Sequence, residues 1–191
     1  MSSAGNVHEE LRKTFEEITR AKQRLAVLRK EAAQMDVGAY TFQTWDSGEV
    51  SLADLFGDRD DLLVVHNMGK SCPYCTLWAD GFNGVTPHLE NRAAFVVISP
   101  DDPAIQQEFA ESRDWRFRMV SGAGNTFAKD MGYEHDGSPM PGVSGFRKHP
   151  DGRITRTDSS PLGPGDDYCA VWHLLELFQD GADGWEPKYT Y

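Results

Sequence analysis

Two continuous apolar runs constrain this chain more than any other feature. Residues 61–68, "DLLVVHNM", and residues 93–100, "AAFVVISP", are of strand length and do not alternate with polar residues, as suits strands buried on both faces. The segment between them opens with "CPYCTLWADGF" and has helical texture. Two such strands joined through a helix run parallel, with a right-handed crossover. A sheet of this kind needs helices on both faces, so the chain is α/β. Gly81 and the pair Asn83-Gly84 predict a break in the connecting helix before Pro87.

A helical arm precedes this unit. Residues 9–35 lack Pro and Gly and are rich in Glu, Lys, Arg, Ala and Leu, all strong helix formers. Leu11, Phe15, Ile18, Ala21, Leu25, Leu28, Ala32 and Met35 recur three and four apart, a heptad-like seam from Ile18 onward. The arm, residues 1–36, either lies on its own domain or pairs with a second copy to form a homodimer. Residues 37–191 form the domain proper. Residues 40–45 and 49–51 read as a hairpin around Asp46-Ser47-Gly48. Asp102 caps a helix with Pro103 in its first turn. Residues 117–120 read as a short strand and 125–131 as a short helix. A second hairpin pairs 143–148 with 153–157 around Pro150-Asp151-Gly152. A last helix is expected over 166–179, with a polar, aromatic tail draped over the surface after Gly181.

Composition narrows the partners. The formal net charge is −11 over 191 residues, which repels phosphate backbones and anionic lipid. Neither nucleic acid nor membrane is expected as a partner. No apolar run reaches membrane-spanning length. The opening "MSSAGNVHEELRK" has no apolar signal segment, so a cytoplasmic location is expected. Three cysteines, Cys72, Cys75 and Cys169, are too few for a disulfide framework.

The pair Cys72 and Cys75 therefore calls for a chemical reading. It sits where the first buried strand hands over to the helix. A helix start presents unpaired N–H groups and partial positive charge. A thiolate placed there is stabilised, so Cys72 is the candidate attacking thiol. Cys75, one turn further in, is placed to resolve a mixed disulfide. Pro73 suits the first turn, and Lys70 is expected to add positive charge. The competing reading is a metal site. Cys169 and His173 lie one helical turn apart, and with the pair they would make a Cys₃His set that zinc accepts. Separately, Cys169 reads as a small buried residue and His173 as an ordinary helix histidine.

A strand–helix–strand unit with C-x-x-C at its first junction is the thioredoxin-like signature. "CPYC" is also the active-site tetrapeptide of glutaredoxins, which raises glutathione as a reductant, although the surrounding sequence does not follow glutaredoxins. Over nearly the whole chain, "VSLADLFG", "CTLWADGFNGVTPHL", "FVVISPDDP", "SRDWRFRMVS", "MPGVSGFR" and "PGDDYCAVWHLLEL" resemble a bacterial thioredoxin-like family. That family is catalogued as domain of unknown function 899 and labelled a predicted dithiol–disulfide oxidoreductase. The resemblance implies a thioredoxin-like fold, a central mixed β-sheet flanked by helices, with a long N-terminal helix. Thioredoxin-like proteins carry a cis-proline before a central strand, facing the cysteines. Pro141 matches that place. Thioredoxin also has a buried acid six residues before its first cysteine. His66 stands there instead, either as a proton relay to Cys75 or as a satisfied core histidine. The proline and threonine that precede a peroxiredoxin's cysteine are absent.

The leading expectation is a cytoplasmic thiol–disulfide oxidoreductase without a cofactor. It would act on a disulfide-containing protein or small molecule, with an external thiol as reductant. Its site residues are Cys72, Cys75, Pro141 and His66. The alternatives are a zinc or copper module and a non-catalytic dimeric interaction domain. Thioredoxin-fold copper carriers space their cysteines one residue further apart than this chain does.

Overall fold

The computed structural model describes residues 3–32 and 34–191. It divides into two compact units, one ending at Gln34 and one running from Met35 to Tyr191. The first unit is a helix, α1 (Ser3–Glu31). Ion pairs one turn apart, Arg12 with Glu9 and Glu16 and Lys13 with Glu10, run along its surface. Leu11, Phe15, Ile18, Leu25 and Leu28 on this helix are exposed.

The second unit opens with three short strands, β1 (Met35–Val37), β2 (Thr41–Gln43) and β3 (Glu49–Ser51). A β–α–β–α–β run follows: β4 (Asp61–His66), α2 (Pro73–Arg92), β5 (Ala94–Ser99), α3 (Pro103–Ser112) and β6 (Arg118–Ser121). After α4 (Phe127–Asp130) come a two-residue ribbon, β7 (Glu134–His135) with β8 (Ser138–Pro139), then the long hairpin β9 (Gly142–Lys148) and β10 (Ile154–Pro161). The last helix is α5 (Ala170–Leu175).

Eight strands form one mixed sheet in the order β1-β10-β9-β4-β5-β6-β2-β3. The predicted parallel pair is present, with Val64 opposite Val96 and His66 opposite Ile98, and β6 extends it in parallel beside β5. On the other side β9 runs antiparallel to β4, with Gly142 opposite His66. Strand alternation divides the core between the two faces. Leu62, Val64, Val96 and Ile98 pack with Phe42, Phe127 and Phe146 on one face. Val65, Phe95 and Val97 pack with Trp78, Phe82 and Phe117 under α2 on the other. Each large side chain so buried contributes about 1.5–3 kcal/mol.

Three elements depart from the sequence expectation. Helix α2 is continuous to Arg92 and carries Pro87 inside it. An interior proline costs about 3 kcal/mol, but Trp78, Ala79, Phe82 and Thr86 all bury the inner face. Asn83 adds a side-chain tie, donating to the Asp114 carbonyl at 2.9 Å and accepting from Arg116 N–H at 2.8 Å. Packing outweighs the local breakers. Met35 and Asp36, assigned from sequence to the helical arm, are strand residues paired with Arg156 and Thr155. The last helix has 6 residues rather than the expected span of 166–179. Asp166 explains its late start: both carboxylate oxygens are taken by the backbone N–H groups of Gly163, Tyr168 and Cys169, which holds that stretch in turns.

Candidate active site

The loop from β4 to α2 is tied down at nearly every residue. Asn67 N–H extends the ladder to the Ile98 carbonyl at 2.8 Å. The Asn67 side chain accepts from Gly69 N–H at 2.7 Å and donates to the Cys75 carbonyl at 3.5 Å. Lys70 N–H donates to Asp101 Oδ2 at 2.9 Å. Gly69 adopts φ +101°, and a Cβ there would lie 2.8 Å from Asp101 Oδ1. Only glycine meets both demands, the left-handed backbone and the close approach of a carboxylate. Cys72 N–H then closes a turn onto the Gly69 carbonyl at 3.2 Å.

This loop delivers Cys72 to the N-cap of α2 with Pro73 at the first helical position. Cys72 Sγ accepts from Cys75 N–H at 3.0 Å, the bond a capping side chain makes. Cys75 Sγ accepts from Met68 N–H at 3.4 Å. All three thiols are free, and Cys72 is 7% exposed while Cys75 is 2% exposed. The Cys75 thiol, hydrogen-bonded to Cys72, holds the Cys72 thiol down at about 7 against burial, with the N–H groups of Cys75 and Tyr74 assisting. The same contact and burial push the Cys75 thiol well above the ordinary range. The pair thus differentiates into a thiolate-forming sulfur and a proton-retaining one. Lys70, expected to supply charge, is exposed and acts in the loop through its backbone N–H.

The structure does not bring His66 to the cysteines. It follows Leu62 and Val64 onto the face opposite α2, because strand side chains alternate. There it is 3% exposed, stacked on Tyr133 and Phe127 with ring centroids 4.0 Å and 5.5 Å away. Its Nε2 lies 3.1 Å from Ser144 Oγ. Burial, then the nearby Arg156 charge, hold it down at about 3. It is a neutral core histidine, and the relay expected from its sequence position is replaced by packing. Tyr133 completes this nest. Its ring leaves no room for a Cβ at Gly142, which would fall 1.8 Å from Cε1.

Pro141 precedes β9, at the sheet end that carries the cysteine loop. The expected cis bond is not found: no peptide bond among the described residues is cis. Met140 N–H donates to the Tyr133 carbonyl at 2.9 Å and Leu162 N–H donates to the Pro141 carbonyl at 3.1 Å. These bonds continue the two flanking ribbons through an extended trans peptide.

The four zinc candidates are likewise not assembled. His173, exposed on α5, lies 3.3 Å from Asp167 of the preceding turn. Cys169 is buried beside an apolar cleft of about 780 Å³ along α2, lined also by Leu77, Trp78, Phe82 and Val85 but by neither Cys72 nor Cys75. Burial raises its thiol. Among the described residues no three His, Cys, Asp or Glu side chains are grouped to hold a metal ion.

The profile described as "Bacterial protein of unknown function (DUF899)" matches residues 6–190. The chain belongs to the DUF899 family. No curated protein matches it. Among solved structures, this DUF899 chain is similar to the peroxidoxin BcpB from Mycobacterium tuberculosis, at 23% identity and TM-score 0.54 over 67% of this chain and 84% of that one. Reduced Prx3 from Vibrio vulnificus, in complex with H₂O₂, aligns at 16% identity and TM-score 0.57 over 71% and 90%. A peroxiredoxin-like protein from Aquifex aeolicus aligns at 18% and 0.54 over 68% and 75%. These likenesses establish a shared thioredoxin-type fold.

Asn67, Asp101 and Tyr133 were not singled out by sequence. Asn67 had a readable signal, a polar residue directly after a buried strand. Asp101 and Tyr133 reach their places only through tertiary pairing.

Proposed function

We propose that this protein is a cytoplasmic thiol–disulfide oxidoreductase with Cys72 as attacking thiol and Cys75 as resolving thiol. The observation that carries the reading is the asymmetry of the pair. Cys72 sits at a helix start, held low by three hydrogen bonds, and Cys75 keeps its proton one turn inside. Cys72 thiolate attacks a substrate disulfide, forming a mixed disulfide and releasing one substrate sulfur as thiolate. Cys75 loses its proton and attacks Cys72 Sγ, expelling the second substrate thiolate. The chain is left with a Cys72–Cys75 disulfide and the substrate has gained two electrons. Two equivalents of an external thiol, or one dithiol, then reduce the Cys72–Cys75 disulfide by the same exchange and are themselves oxidised to a disulfide.

One solved structure of this fold, reduced Prx3, is a complex with H₂O₂, which makes hydroperoxide the second substrate to test, against the absence here of the proline and threonine of a peroxiredoxin site. Cys72 thiolate would attack the O–O bond, giving a sulfenic acid and an alcohol or water. Cys75 would then displace water to form the same disulfide. The decisive experiment follows turnover of a small disulfide and of a hydroperoxide with dithiothreitol as reductant. Cys72→Ser should abolish turnover, and Cys75→Ser should stop at a mixed disulfide with the substrate. Full turnover by Cys72→Ser would refute the assignment.

The exposed seam of α1 fits self-association with a second copy.

A further inference from the structure

The segment 185–191 packs on residues that flank the helix start carrying the dithiol. On one side Trp185 packs on Trp172 with ring centroids 6.0 Å apart, and Trp172 stacks on Tyr74 at 6.1 Å. Tyr74 lies between the two cysteines in sequence, and its hydroxyl sits beside the Glu186 carboxylate. Pro187 is buried. On the other side Tyr189 sets its ring edge-on to Phe109 at 6.3 Å, and its carbonyl accepts from Arg113 Nη1 at 3.1 Å. Arg113 is itself locked to Asp80 of α2, which also accepts from Trp115 Nε1 at 2.8 Å. Phe109 and Trp115 border a small void shared with Asn67, Gly69 and Lys70, the loop that carries Cys72. The segment is therefore pinned at both flanks of the helix start. The Tyr189 phenol is raised by burial and then by the charges of Cys72 and Cys75.

A disulfide is attacked in line with its S–S bond, so its sulfur has to reach an open side of Cys72 Sγ. A folded protein must bring its own backbone to that side, whereas a small molecule needs only a gap. With Cys72 at 7% exposure, the open side is narrow. We propose that residues 185–191 form a strap that restricts the Cys72–Cys75 site to low-molecular-weight disulfides and excludes folded protein disulfides. The proposal rests on the dithiol reading above and names its substrate class.

The test compares the reduced full chain with a variant lacking residues 186–191 and with full-length Tyr189→Ala. Cys72 is alkylated at pH 9 with iodoacetamide and with a polyethylene-glycol maleimide, and turnover is followed with 2-hydroxyethyl disulfide and with insulin. In the full chain the bulky reagent should lag at least tenfold behind its rate on a free thiol, once normalised to iodoacetamide. Insulin should be a poor substrate. Removing 186–191 should erase most of that lag and raise insulin turnover tenfold or more, with little change for the small disulfide. Tyr189→Ala should move both in the same direction, and its circular dichroism guards against simple unfolding. An unchanged reagent ratio in both variants overturns the strap. If no variant turns over either disulfide while the ratio shifts, the dithiol reading fails and the strap stands as a cover.

Discussion

Replacing Cys75 by alanine tests the electrostatics of the site directly. Cys72 is lowered from 9.0 to about 7, and the largest cause is the Cys75 thiol. Two pH units correspond to about 3 kcal/mol in favour of the thiolate. A hydrogen bond to a charged group is worth about 1.5–3 kcal/mol, so Cys75→Ala should raise the Cys72 midpoint by about one to two units. The remaining N–H donors keep it from rising further. The assay is iodoacetamide alkylation of the reduced protein from pH 5 to 10. Wild type should titrate near 7 and Cys75→Ala at about 8–9. At pH 7 the thiolate fraction would fall from about one half to about 1–10%, and a more basic sulfur is intrinsically more nucleophilic, so the net rate loss is about 2- to 8-fold. Cys75→Ser retains an O–H donor and should shift less. A Cys75→Ala midpoint still near that of wild type would refute the reasoning and leave the helix start as the sole cause. Stability carries the same signature. Because its folded pKa is depressed, Cys72 contributes stability above its unfolded value that is lost as pH falls toward 7. The raised Cys75 acts oppositely and removes stability above its own unfolded value. The reduced protein should therefore gain stability from about pH 7 to about 9 and lose it beyond.

Three further outcomes follow from the same structure. His66, depressed from 6.5 to about 3, keeps its full contribution above pH 6.5 and loses on the order of 4 kcal/mol as pH falls toward 3; His66→Gln should flatten the urea-midpoint slope between pH 6.5 and 4, and an unaltered slope would contradict burial as the cause. Gly142→Ala forces a methyl into the Tyr133 ring and should cost about 3 kcal/mol or more by denaturant unfolding, whereas Gly163→Ala, with open space around it, should be nearly neutral. Light scattering should show a dimer for the full chain and a monomer once residues 1–34 are removed; a monomeric full chain at high concentration would end the pairing proposal for α1.

Some of this protein was determined by local sequence alone. The two apolar runs suit buried parallel strands, because neither alternates and a helix-length segment joins them. Asp102 as a cap, the Pro150–Gly152 turn and the place of Cys72 before Pro73 follow from neighbours a few residues away, where the forces are hydrogen bonds and fixed dihedrals. Tertiary structure decided the rest. Pro87 and Gly84 sit inside an unbroken helix because Trp78 and Phe82 gain more from the sheet than the breakers cost. His66 faces away from the cysteines because its strand's register, set by pairing with β5 and β9, fixes which side of the sheet each residue takes. The loop's hold on Cys72 depends on Asp101, and the anchoring of the C-terminal segment on the bond from Arg113 to the Tyr189 carbonyl. These residues are distant in sequence from Cys72, and no periodicity or local propensity records a contact that exists only once the sheet has closed.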